Sequence, residues 1–574
     1  MKWDSEIEFI VKKYSLQNSL EYNGKGKSGS VLGRILSERA DLRKQAKSLK
    51  QLVEEEVEEA NKIAEIRGIQ AIREILEDLA PDALVRKKQV KKTGLKELSG
   101  DTSDVVLRFA PNPNGPLSLG HSRGVIINSE YAKMYDGKVV LRFDDTDTKI
   151  KPPLIEAYKW ITEEYEWLTG RSPDRIIRAS DRMNVYLKYA EKILNRDFAY
   201  VCKCSQDEFK IFRENMESCP CRGNSVEKNI SLWGEMNSGV IDEGGAIVRI
   251  KTDMELSNPA LRDWPALRIQ KNPHPIVGNK YRVWPLLDFQ SAIEDHEQGI
   301  THIIRGKDLM DSTRKQTLLY EKFGWKYPET LYWGRVKLLE FGKFSTSDMR
   351  SAIESGEYDG WNELFLPTIS ALRRRGFTSE SINKYWMELG LTQKDIFVPM
   401  KTIESVNAKI IDKKCERRIF VENPVELIVN SQSKLPGEEV IPRNVALEKH
   451  PELEIGVRNW DISDKIILEK IDFKEGKIRL KGFADVNIKV DNGLIDLDSI
   501  EKSDGRTIIH WLPRGIEREA ELIVPKDGVN SVIYGVIEDF ELKEGEIYQL
   551  ERKGFARVEE IKDKAPIKLV WLHN

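Results

Sequence analysis

Apolar positions follow different periods in different stretches of the chain. From the N-terminus to about residue 95 they recur at three- and four-residue intervals among opposite charges, most clearly in ERADLRKQAKSLKQLVEEEVEEANKIAEI, a stretch that contains no Gly or Pro. That period predicts helices with a solvated, charged face. Near residue 104 the texture changes: DVVLRF reads as a short buried strand, the Pro/Asn/Gly cluster after it as a turn, and the run from about His121 as a helix. GKVVLRFDDTD supplies a second strand, which makes a βαβ unit. Residues 152–200 read as helical, 240–275 as short strands and turns, and 281–320 as apolar strand and helix again, the order of an α/β domain with an insertion. Beyond about residue 400 the pattern alternates, as in KIIDKKCERRIFVEN, GKIRLKGFADVNIKV, RTIIHWL and GEIYQLERKGFARVEE, with turns such as Asp491-Asn492-Gly493 between strands. Alternation with such turns predicts β-barrel modules.

A chain of 574 residues exceeds what one hydrophobic core supports, so several domains are expected. No apolar run approaches the roughly 18 residues of a membrane span, and MKWDSEIEFIVKKYSL carries acids where a secretory signal would be apolar. The expected location is the cytoplasm. With 91 Lys and Arg against 94 Asp and Glu, a uniformly basic coat is excluded, although local basic faces are not.

The chemistry concentrates in Pro111-Asn112-Pro113-Asn114-Gly115-Pro116-Leu117-Ser118-Leu119-Gly120-His121, where strand gives way to helix. A glycine and an imidazole stand at the helix N-terminus, whose free N–H groups bind phosphate. Taken alone, such a Gly-His pair is more often a plain helix cap. In its context, RFAPNPNGPLSLGH resembles the first signature of class I aminoacyl-tRNA synthetases of the glutamyl and glutaminyl subgroup, with Ser118 in place of the first histidine of a His-x-Gly-His element. Residues 342–350, GKFSTSDMR, resemble the second signature, a Lys-Met-Ser-Lys-Ser loop that folds over the triphosphate. Lys343, Phe344, Ser345, Thr346 and Ser347 align with it, and Thr346 stands where the family has its second lysine. The resemblance implies catalytic roles for His121, Ser118 and Lys343. It also implies ATP contacts from Pro111, Asn112, Pro113, Asn114, Gly115, Gly120, Ser345, Thr346 and Ser347, with Lys343 or Arg350 stabilising phosphate charge.

Further blocks concern the amino acid. In LRFDDTD the resemblance implies that Asp144 pairs with the substrate α-ammonium, while Arg108 meets a carboxylate bidentately. Arg305 matches the arginine that glutamyl members direct at the substrate side-chain carboxylate, a place where glutaminyl members have no cation. A guanidinium offsets the desolvation of a buried carboxylate and would be left unpaired by a neutral amide. The alternative for Arg305 is an ion pair with Asp308 or Asp311. Leu287 lies where many members have a substrate-contacting tyrosine, with Tyr281 and Trp284 nearby.

Four of the five cysteines form two C-x-C pairs, Cys202/Cys204 and Cys219/Cys221, with fourteen residues between them. Four thiolates suit a closed, structural tetrahedral zinc site; disulfides or unrelated reduced thiols are the alternatives. The pairs fall in the insertion that, in relatives of this subgroup, grips the tRNA acceptor stem, and NPALRDWPALRI with Arg262, Asp263 and Arg268 resembles a further block of it. Cys415 is expected to be buried and inert.

The C-terminal third resembles the β-barrel anticodon-binding half of glutaminyl and of archaeal or eukaryotic glutamyl members. The resemblance thus implies a multidomain, archaeal-type layout: a helical N-terminal extension at 1–98, and a Rossmann-like α/β catalytic domain at 99–200 and 281–335. It places an inserted acceptor-stem-binding domain at 201–280, a signature-loop and helical connecting domain at 336–400, and β-barrel anticodon-binding domains at 401–574. It implies ligation of glutamate to tRNA(Glu) with ATP and Mg²⁺, structural Zn²⁺, extension to tRNA(Gln), no membrane partner and a monomer; a glutaminyl member is the alternative.

Overall fold

The computed structural model describes residues 3–84, 94–338, 345–430, 442–503 and 505–574. It forms two compact units, Met1–Lys92 and Thr93–Asn574. In the first, the helical period is realised as Ser5–Glu21, Ser28–Glu38, Ala46–Arg67 and Ile69–Leu79. Leu49, Val53, Val57, Ala60 and Ala64 share one buried face of the long third helix, and the acids and lysines between them face solvent.

In the second unit, strands Val106–Phe109, Lys138–Phe143 and Arg175–Arg178 form a parallel sheet. Lys138–Phe143 is buried on both faces after its first residue, which is why it reads as a continuous apolar run. The crossover helix Leu119–Met134 returns to it through Asp136 and Gly137; a Cβ on Gly137 would fall 2.4 Å from the Val105 carbonyl oxygen, so this close turn needs glycine. Strands His302–Gly306 and Glu329–Trp333 form a second parallel pair. Thr301 joins the two groups: its N–H donates to Val106 O (3.0 Å), and its Oγ1 accepts from Val106 N–H (2.9 Å). The order therefore reverses between Val106–Phe109 and His302–Gly306, and such a switch point opens a crevice at the strand C-termini. This is the expected Rossmann-like domain. Its core, with Leu107, Ile126 and Leu141, continues into Leu372, Trp386 and Ile403 of the helices that follow.

The insertion is a four-stranded antiparallel sheet, Ala199–Cys202, Ile247–Ile250, Pro265–Ile269 and Val283–Pro285. Tyr186, Leu232, Trp233, Trp264 and Trp284 fill its core, which runs on through Phe289 and Tyr320 into the second half of the catalytic domain.

The C-terminal third carries two seven-stranded sheets, each closed by one short split strand. Arg417–Arg418 pairs with Ile547–Leu550 at one edge, while Phe420–Glu422 pairs with Val529–Glu538 at the other. In the second sheet, Ile508–Ile509 and Leu512–Pro513 close the ring against Gly476–Leu480 and Lys465–Glu469. Among the described residues, closure leaves the two rings without free edges, the physical advantage of the expected barrels. The second barrel is inserted in sequence after the first strand of the other.

Candidate active site

Ser118 is the N-cap of helix Leu119–Met134. Its Oγ accepts from His121 N–H (3.3 Å), and His121 Nδ1 accepts from Ser118 N–H (3.2 Å). A ring nitrogen that accepts cannot carry a proton, so this bond selects the neutral tautomer with its proton on Nε2, a donor on an exposed side chain. The His121 side chain is exposed, yet the protein packed around it, and then the charge of Lys151, lower its pKa and favour the same neutral form. The turn before it is laced to the Asp144 loop: Asp144 N–H donates to Pro111 O (3.0 Å), Asn112 Nδ2 to Asp144 O (3.0 Å) and Leu154 N–H to Pro113 O (2.8 Å). Asn114 and Gly115 are buried in it, and Gly120 is exposed. Buried Glu164 accepts Leu117 N–H at 2.7 Å, and burial pushes its pKa up to about 8.

At the switch point lies a buried charged cluster that sequence reasoning found only in part. Arg142 donates to Asp144 (2.7 and 3.3 Å), to Asp295 (2.7 Å) and to Ser291. Gln290 Nε2 also donates to Asp144 (2.8 Å), so the Asp144 carboxylate, expected at the substrate ammonium, is engaged by protein groups. Arg108 lies 3.4 Å from Asp295, and burial lowers its pKa to about 10. Arg305 makes no ion pair with Asp308 or Asp311. It donates to Thr313 Oγ1 (3.3 Å) and Gln316 Oε1 (3.0 Å), both uncharged, while Asp311 pairs with Arg314. Three arginines (108, 142, 305) thus face two aspartates (144, 295), an excess of one positive charge. Arg305 Nε is buried without a hydrogen-bond partner, whereas Arg108 Nε lies against Asp295 Oδ1. Buried groups left this way mark a place for an anionic ligand. Leu287 is half-exposed at the start of its helix.

Lys343 lies outside the described residues. Ser345 caps helix Thr346–Glu354 by accepting from Asp348 N–H (3.1 Å). A Cβ on Gly115 would come within 2.7 Å of Thr346 Cγ2, so the two signature elements touch. Ser347 is exposed beside them. Arg350 is committed elsewhere, to Pro152 O (2.6 Å) and Glu354 (2.7 Å).

The four insertion cysteines are free thiols whose sulfurs all lie within 4.8 Å of one another. Cys202–Cys219 and Cys204–Cys221 are separated by 3.9 and 3.8 Å. A tetrahedron with Zn–S bonds of about 2.3 Å has edges of about 3.8 Å, so the set fits zinc. Lys203 N–H donates to Cys221 Sγ (3.4 Å), and Tyr200 bridges Cys219 (3.4 Å) and Asp263 (2.9 Å), contacts that orient ligands. Cys415 is buried, and burial pushes its pKa up to about 12.

Arg142, Asp295, Gln290 and Gln316 were missed. The signal available for Arg142 was its place two residues before Asp144, on the strand that ends at Phe143; the others carry no local mark.

Fold and site together define a class I tRNA synthetase. Residues 104–413 match the family described as "tRNA synthetases class I (E and Q), catalytic domain", and residues 415–503 match "tRNA synthetases class I (E and Q), anti-codon binding domain". Curated relatives over nearly the whole length are the glutamate–tRNA ligases of Methanothrix thermoacetophila (41% identity; 97% of this chain and 98% of the relative), Archaeoglobus fulgidus (44%; 96% and 97%) and Pyrococcus furiosus (40%; 98% and 99%). The chain belongs to the glutamate–tRNA ligase family, which sets the glutaminyl alternative aside. Among the described residues, no helix is long and apolar enough to cross a membrane.

Proposed function

We propose that the protein activates L-glutamate with ATP and Mg²⁺ to glutamyl-adenylate and transfers the glutamyl group to tRNA(Glu). The observation that carries this reading is the buried excess of one arginine charge beside a phosphate-binding helix N-terminus. Arg305 meets the glutamate side-chain carboxylate, and Arg108 the other end of the substrate. His121 Nε2–H and the helix N-terminus bind ATP phosphate oxygens, aided by the Ser118 hydroxyl and by the Ser345–Ser347 segment with Lys343, where charge develops toward pyrophosphate. Asp144 acts indirectly, by holding Arg142. The insertion grips the acceptor stem and the barrels take the anticodon. Cys202, Cys204, Cys219 and Cys221 would hold a structural zinc that cross-links the insertion; one zinc per chain by elemental analysis, lost on replacing Cys204 and Cys221 by serine, tests this. The enzyme works as a cytoplasmic monomer and also charges tRNA(Gln) with glutamate.

The deciding experiment charges total archaeal tRNA, and purified tRNA(Gln), with labelled glutamate and glutamine in parallel. Glutamate charging alone is expected; glutamine charging would overturn the assignment of Arg305. Failure on purified tRNA(Gln) alone removes only the extension to that tRNA.

A further inference from the structure

Of the three buried arginines in the cluster, only Arg305 keeps its charge uncompensated by a contacting carboxylate. Arg142 is paired with Asp144 and Asp295, and Arg108 with Asp295. The hydrogen bonds of Arg305 go to Gln316 Oε1 (3.0 Å) and Thr313 Oγ1 (3.3 Å), and no carboxylate of the described residues pairs with it. Gln316 is 1% exposed. Tyr327 OH donates to the same Oε1 at 2.5 Å. A guanidinium can only donate, so the amide oxygen must face Arg305 and the amide nitrogen must turn away. Thr313 and Gln316 are three residues apart on helix Met310–Phe323 and present both acceptors on one face.

We propose that Gln316 is a specificity-setting positioning residue. It aims Arg305 with a neutral oxygen, so the guanidinium charge stays available to the side-chain carboxylate of the amino acid. A carboxylate at this place would form the same hydrogen bonds but neutralise Arg305, leaving three arginines against three acids. The glutamate carboxylate would then enter without a free cation, and glutamine would lose its disadvantage.

The inference rests on the proposed role of Arg305, and the test separates the two. With tRNA and Mg²⁺ present, the near-isosteric Gln316→Glu should raise KM for glutamate about tenfold or more, leave KM for ATP unchanged, and shift the glutamate-to-glutamine ratio of kcat/KM toward glutamine. Gln316→Met removes the acceptor without adding charge, and its effect should be smaller. Equal effects of the two variants, or a normal glutamate KM in Gln316→Glu, would overturn the proposal. Arg305→Leu is the control: if it leaves glutamate KM unchanged, the reading of Arg305 itself falls. Thr313→Asp brings a carboxylate to the second acceptor position and serves the same test if Gln316→Glu lowers the melting temperature.

Discussion

Asp144 and Arg305 show how much a motif says about a residue and how much it leaves to the fold. Both lie in blocks that resemble the family, and the structure brings both to the buried charged cluster around Asp295. Their partners were not legible in the sequence, because Asp295 is 153 residues from Arg142 and nothing in the local spacing of AIEDHE marks which acid meets Arg142. The partners change the expected role of Asp144: both of its oxygens accept from Arg142, and Gln290 adds a third bond. Asp144→Asn would leave three guanidiniums facing Asp295 alone. Removing one partner of a buried ion pair costs about 3–5 kcal/mol, so the urea midpoint should fall with an unchanged slope. Normal stability with a raised glutamate KM would instead put this carboxylate on the substrate ammonium.

Elements with long, regular patterns were legible, whereas short or charged ones were not. Helix Leu119–Met134 and the strands around it follow the pattern. Arg175–Arg178 is a four-residue strand with arginine at both ends and one buried side chain, and it disappears into the helical texture of 152–200. KII at 409–411, grouped with strands by its apolar run, ends helix Met400–Ile411, where Ile403, Asn407 and Ile411 lie on the buried face. A short apolar run does not distinguish these states. That helix also carries a junction that only the fold reveals. Asn407 Nδ2 donates to His573 Nε2 (3.0 Å), whose Nδ1–H donates to Asn574 O (3.1 Å), and Arg375 donates to Leu572 O (2.6 Å). Burial, with Arg375 nearby, lowers the His573 pKa to about 4. An unfolded histidine titrates near 6.5, so below that pH the unfolded chain binds the extra proton. The stability from neutral His573 is therefore present above about pH 6.5 and is lost as pH falls toward 4, by about 2 kcal/mol at pH 5. Denaturation at pH 7 and pH 5 should show a smaller acid loss in His573→Gln than in the unmodified chain; equal losses would mean that His573 is protonated when folded.

For the molecule as a whole, the order helical, α/β with insertion, helical, all-β was readable from changes in period. What could not be read is that one barrel is nested in the sequence of the other, because each ring is closed by two- and three-residue strands too short to leave a pattern. The nested barrels are tied together at Glu538. It is fully buried on strand Val529–Glu538 of the first barrel, and accepts from Ile419 N–H (3.1 Å) and from Trp460 Nε1 (3.1 Å) and Arg458 on the hairpin Asn444–Glu448/Val457–Asp461. Trp460 packs edge-on against Trp511 in the core of the second barrel. Burial raises the Glu538 pKa, and Arg458 and then Arg418 oppose that shift. Glu538→Gln keeps the shape but leaves Arg458 and Arg418 without this buried charge, at a cost of about 3–5 kcal/mol. If residues 415–503 hold the anticodon end of tRNA at a fixed distance from the crevice, loosening this link should raise KM for tRNA while KM for ATP and glutamate stays unchanged. A uniform loss in all three constants would show that Glu538 serves folding alone, and an unchanged tRNA KM in a destabilised variant would show that the barrel spacing does not govern tRNA binding.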